Sequence, residues 1–110
     1  MSVAALLESG AYKVDFSGED GATPLFAAAQ AGHAAVVLLL VSAGAEVDAA
    51  VTSLRRTPLL IASMHDHITV VAALVEAGAE VDKAAYDGGT ALYAAALKGI
   101  YFHDYFPSDI

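Results

Sequence analysis

A short phrase recurs in this chain at a nearly constant interval, and that interval limits the fold more than any single residue does. Thr23-Pro24-Leu25 returns thirty-four residues later as Thr57-Pro58-Leu59, and thirty-three beyond that in weaker form as Thr90-Ala91-Leu92. Gly44-Ala45-Glu46-Val47-Asp48 returns as Gly78-Ala79-Glu80-Val81-Asp82. Twenty-one residues separate Thr23 from Gly44, and twenty-one separate Thr57 from Gly78. A period of this length implies stacked supersecondary units, each burying its apolar side on the next, rather than one closed core. It tells how a surface is presented, but not what that surface meets.

The phrases carry local instructions. Thr23 suits an N-cap, where its hydroxyl accepts from a free first-turn amide. Pro24 then occupies the first helical position, where a missing N–H costs nothing. This predicts a short helix from Pro24 to about Ala31, ended by Gly32 in the left-handed conformation. A second helix is predicted from about Ala34 to Ala43, with Val36, Val37, Leu39 and Leu40 at helical spacing and Gly44 as its stop. Glu46-Val47-Asp48 then leads through an extended turn to the next Thr-Pro. The second unit copies the plan, with Val70, Val71, Leu74 and Val75 in its second helix and Gly78 at its end. Asp66 stands where Gly32 and Gly99 stand in the other units, and aspartate tolerates left-handed geometry better than most residues.

The flanks are partial copies. Val3, Leu6, Leu7 and Gly10 each lie thirty-four residues ahead of Val37, Leu40, Val41 and Gly44, so residues 1–17 read as the latter half of a preceding unit. Full units follow at 18–51 and 52–84, and 85–110 is a degenerate last unit within a single domain. There Tyr93 to Lys98 reads as a first helix, ended by Gly99. The aliphatic second helix is replaced by Ile100-Tyr101-Phe102-His103-Asp104-Tyr105-Phe106-Pro107. Tyr101 with Tyr105, and Phe102 with Phe106, are four apart and suit one packed helical turn, a frayed tail being the alternative.

Composition narrows the function. Hydrophobic residues make up 57% and mean hydropathy is +0.58, much of it alanine. The strongest apolar stretch, Ala34 to Val41, is too short to span a bilayer. Met1 to Tyr12 lacks a basic start and carries Glu8, so it does not read as a secretory signal. The absence of cysteine excludes disulfides and thiolate metal sites and fits an intracellular, cytoplasmic or nuclear location. The net charge is -8, with only Lys13, Arg55, Arg56, Lys83 and Lys98 basic. Nucleic-acid binding needs clustered cations and is not expected. A partner with a basic surface is favoured, although acidic excess also simply serves solubility.

The pattern resembles the ankyrin repeat. The residues that carry the resemblance run from Asp20-Gly21-Ala22-Thr23-Pro24-Leu25 through Gly32-His33 and Val36-Val37 to Leu39-Leu40, Gly44-Ala45 and Val47-Asp48. It covers nearly all of the chain before Ile100. Phe26, Leu60 and Tyr93 stand where that family usually has a histidine, Arg55 replaces the glycine of Gly21 and Gly88, and an extra residue falls near Val51. The resemblance implies an all-α solenoid of stacked helix-turn-helix pairs with β-hairpin-like loops. It further implies a non-catalytic protein-binding module that uses its loop tips and the exposed face of the first helices. Carried over by position, that surface is Glu19, Asp20 and Gln30 in the first unit. It is Ser53, Leu54, Arg56, Met64 and His65 in the second, and Tyr86, Asp87, Leu97 and Lys98 in the third. Leu54, Met64, Tyr86 and Leu97 are apolar residues expected at open positions, where such side chains anchor partners.

Other constellations are weaker. Glu46, Asp48, Glu80 and Asp82 suggest an acidic hairpin edge, or, for the aspartates, bonding to their own local turns. His65-Asp66-His67 lacks the third converging ligand that zinc needs, and His67 reads as a cap for the second helix. No nucleophile, histidine and carboxylate recur as a set, and Gly88-Gly89 lacks the lysine of a phosphate loop. No cofactor is expected. Neither flank looks like a polar terminal unit. Fraying is therefore expected to start at the ends, and the chain reads either as part of a longer array or as a homo-oligomer joined through its ends.

Overall fold

A computed structural model describes residues 21–50, 54–85 and 88–98. The expectations for residues 1–17, for the insertion near Val51 and for the aromatic segment from Ile100 lie outside the described residues. The described residues form five helices and no strand. They are α1 (Pro24–Ala31), α2 (Ala34–Ser42), α3 (Pro58–Met64), α4 (Ile68–Glu76) and α5 (Ala91–Lys98).

The repeated threonines start the first helix of each unit. Thr23 Oγ1 accepts from Phe26 N at 3.2 Å, Thr57 Oγ1 from Leu60 N at 3.1 Å, and Thr90 Oγ1 from Tyr93 N at 3.1 Å. Such a cap is worth about 1 kcal/mol against alanine. The exits repeat too. His33 N donates to Ala28 O at 3.0 Å, and His67 N to Ala62 O at 2.9 Å. The left-handed residue that permits each exit is Gly32 (φ 81°) in the first unit and Asp66 (φ 63°) in the second. The second helices close alike, Ala45 N donating to Leu40 O and Ala79 N to Leu74 O, each at 3.0 Å.

Packing joins these copies into two rows. α1 and α3 lie side by side, as do α3 and α5, while α2 packs on α4 in the second row; within a unit α1 packs on α2 and α3 on α4. Leu25, Val37, Leu59, Val70, Val71 and Leu74 are fully buried between the rows. Each such side chain contributes roughly 1.5–3 kcal/mol relative to exposure. Ala28, Ala29, Ala62 and Ala73 are buried with them, letting helices approach closely. That explains the alanine content.

Comparison of equivalent positions shows what one unit does for the next. Ile61 and Val70 are buried on the side that faces the first unit. Their counterparts Ala27 and Val36 are exposed and half-buried, and Leu39 is exposed where Ala73 is buried. Of the residues expected to fill the second helices, Val37, Leu40, Val70, Val71 and Leu74 are buried, whereas Leu39 is not.

Polar contacts also bind the units together. Glu80 N donates to both carboxylate oxygens of Asp48, at 3.1 and 3.2 Å. Lys83 Nζ donates to the Asp48 carbonyl at 3.2 Å. His67 Nε2 donates to the Gln30 carbonyl at 2.9 Å. Two expectations are corrected here. Asp48 bonds the following unit rather than its own turn, because the stack places the Glu80 amide against it. His67 stands at the N-cap position of α4 but makes no side-chain cap bond. Its ring turns instead toward the first unit.

Candidate functional site

The loop before α3 and the facing walls of α3 and α5 frame a cleft of about 180 Å3, lined by Arg56, Leu60, Met64, Gly89, Thr90, Tyr93 and Ala94. Its shape follows from the repeat. Thr57 and Thr90 start α3 and α5 at matching heights, so Leu60 and Tyr93 occupy equivalent places one turn in. Leu60 and Ala94 are buried with Ala85 in a small apolar cluster against which Met64 packs. They form the floor. Tyr93, 62% exposed, stands at the rim, and half-buried Arg56 closes the loop end.

The loop leading into α5 is closed as a turn, with Ala85 N donating to Gly89 O at 2.8 Å and Gly88 N to Ala85 O at 2.9 Å. Gly88 takes φ 85° there, and Gly21 takes φ 79° at the equivalent place. Arg55 has φ 54° at that position in the second unit, a left-handed arginine immediately before Arg56. Leu54, 45% exposed, precedes it at the loop surface.

The structure brings together only some of the surface residues read from the sequence. Leu54 and Arg56 stand on the loop before α3. Met64 closes the same helix but is half-buried, because α5 covers part of it, so the expectation of an open position is corrected. His65 is exposed just past the end of α3, and Gln30 is exposed at the end of α1, its carbonyl held by His67. Glu19, Asp20, Ser53, Tyr86 and Asp87 lie outside the described residues, as do the side chains of Leu97 and Lys98 at the end of α5. The sequence reading missed Leu60, Thr90, Tyr93 and Ala94. Tyr93 was findable: it sits where Phe26 and Leu60 do, three residues after the threonine of its unit.

The remaining constellations take ordinary places. The His65 and His67 rings stack at 6.0 Å and 26°. Among the described residues, no three His, Cys, Asp or Glu side chains are grouped to hold a metal ion. Glu46, Glu80 and Asp82 are exposed along the hairpin side while Asp48 is engaged between units. Among the described residues, no helix is long and apolar enough to cross a membrane.

Capped helix pairs in two rows, with loops and first helices left open on one side, define a repeat solenoid that presents a surface. The ankyrin repeat family matches residues 20–51, and a family described as ankyrin repeats (many copies) matches residues 59–104. The chain belongs to the ankyrin repeat family. Members of that family are generally protein–protein interaction modules. No curated protein matches the chain.

Proposed function

We propose that this chain is a non-catalytic binding module that captures another protein through the loop before α3 and the cleft between α3 and α5. The observation that carries the reading is the grouping of Arg56, Met64 and Tyr93 around one apolar recess, with exposed Leu54 on the loop that leads to it. Arginine, methionine and tyrosine are enriched at protein interfaces, where lysine is depleted. Gln30 and His65 extend the surface to neighbouring helix ends, and Glu19, Asp20, Ser53, Tyr86, Asp87, Leu97 and Lys98 complete it by repeat position. A partner surface with basic patches suits the net charge of -8. An intracellular setting suits the lack of cysteine.

A second reading has its own observation. The exposed Ala27 and Leu39 and half-buried Val36 form a side that the second unit buries on its counterpart. A chain associating through that side would be a self-assembling repeat.

The deciding experiment is affinity capture with mass spectrometry, comparing wild type with an Arg56→Glu/Tyr93→Ala variant whose circular dichroism is unchanged. Proteins recovered by wild type and lost by the variant support the binding module. Identical recoveries, together with concentration-dependent association in light scattering, support self-assembly instead.

A further inference from the structure

The cleft between α3 and α5 carries more information than its membership of a binding face. Its volume of about 180 Å3 is below the range of roughly 300–1,000 Å3 usual for small-molecule sites. It has room for one large apolar side chain over the floor of Leu60, Met64 and Ala94. The rim of Tyr93 provides an aromatic wall beside it.

The charge at the mouth is the second observation. The chain holds thirteen acidic residues against five basic ones. Yet neither α3, Pro58–Met64, nor α5, Ala91–Lys98, contains an acidic residue. Arg56 lines the cleft and makes no ion pair or hydrogen bond among the described residues. Arg55 is its neighbour, giving the only adjacent basic pair in the sequence. Arg56, with no partner among the described residues, lies beside an apolar recess between two helices that carry no carboxylate, and is complementary to a carboxylate carried close to an apolar side chain. A guanidinium binds that group with directed, charge-assisted bonds.

We infer that the cleft recognises a linear peptide segment in which a large apolar residue, leucine or phenylalanine, stands next to or one position from a glutamate or aspartate. The inference rests on the proposed binding function and specifies its ligand. The apolar side chain fills the recess and supplies most of the affinity, as anchors in desolvated pockets do. The carboxylate pairs with Arg56 and sets the register of the segment. Because the whole chain is strongly acidic, the motif is a local one in a partner that is not itself acidic overall.

The test uses fluorescein-labelled synthetic peptides with Leu or Phe at a central position and Glu, Gln or Lys beside it, read by fluorescence anisotropy and by amide shifts in 15N-labelled protein. The Leu-Glu and Phe-Glu peptides are expected to bind about fivefold tighter than their Gln counterparts, the scale of one partly exposed ion pair. The Lys peptides are expected to be weaker still. Shifts should concentrate at Thr90, Tyr93 and Ala94. Arg56→Gln should abolish the Glu-over-Gln preference, so that the Glu and Gln peptides bind alike. Tyr93→Ala should weaken all the peptides about tenfold without altering the preference. Equal binding of Glu, Gln and Lys peptides, or a preference that survives Arg56→Gln, overturns the inference. So does failure of every peptide to shift the cleft amides, and in each of these cases the affinity-capture comparison decides separately whether the face binds protein at all.

Discussion

The Asp48 carboxylate receives the backbone amide of Glu80, thirty-two residues further along, through both of its oxygens at 3.1 and 3.2 Å. Asp82, its counterpart one repeat later, is exposed and makes no such bond among the described residues. One aspartate is therefore a clasp between units and the other is not, although they sit in the same phrase. Asp48→Ala is expected to destabilise the fold by about 0.5–1.5 kcal/mol, the net scale of a hydrogen bond in a partly exposed setting. Asp82→Ala should stay within about 0.5 kcal/mol of wild type. Urea unfolding of the two variants checks the difference; equal midpoints would remove the clasp from the account.

Gly32 is constrained twice over. Its φ of 81° disfavours any L side chain, and a Cβ there would meet the His67 ring at 2.8 Å. Gly44 shares the first constraint, with φ 94°, but has open space around it. Gly44→Ala should cost about 1–2 kcal/mol from the backbone alone, and Gly32→Ala should cost more. The excess should disappear when His67→Ala is combined with Gly32→Ala. A double-mutant cycle measured by thermal or urea unfolding isolates this coupling, which for residues in contact runs to about 0.5–3 kcal/mol.

Arg55 is the odd member of its set. Gly21 and Gly88 hold φ 79° and 85°, and Arg55 holds φ 54° at the same place in the repeat. A left-handed non-glycine residue costs roughly 1–2 kcal/mol, while glycine gives back about 0.5–1 kcal/mol in chain entropy on unfolding. Arg55→Gly is thus expected to stabilise the protein slightly, by about 0.5 kcal/mol, seen as a small rise in Tm. A fall in Tm would show that the arginine side chain contributes a contact worth more than the strain.

Leucines of the same helix row differ in what they support. Leu74 is fully buried between α4 and its neighbours, whereas Leu38 is 52% exposed on α2. Leu74→Ala should cost about 2–5 kcal/mol. Leu38→Ala should cost under about 0.5 kcal/mol and improve solubility. Denaturant midpoints for both, with circular dichroism to confirm helicity, are sufficient to test this contrast.

The helices were legible because their ends are written locally. A threonine whose hydroxyl reaches three residues on, a proline at the first turn and a glycine after the last one each act over a few residues. The repeat then brings the same devices back. The expected helix from Pro24 to about Ala31 has those bounds in the structure, and α2 ends at Ser42, one residue short of the expectation. Even the odd Asp66 was readable, because a left-handed exit is needed there whatever the neighbouring unit does.

Contacts between units were not legible in that way. Sequence left Asp48 between an acidic edge and its own turn, and read His67 as a cap and Met64 as open surface; stacking turned each toward an adjacent unit. The recess between α3 and α5 depends on how closely those helices approach, and Tyr93 is exposed at its rim where its counterparts Phe26 and Leu60 are buried. By itself, the order of residues determined the kind of unit, its helix limits and its stacking, since caps, breaks and apolar spacing are short-range properties. The tertiary arrangement alone decided which polar groups meet across thirty residues and where a cleft opens, since those depend on distances between helices that no local propensity encodes.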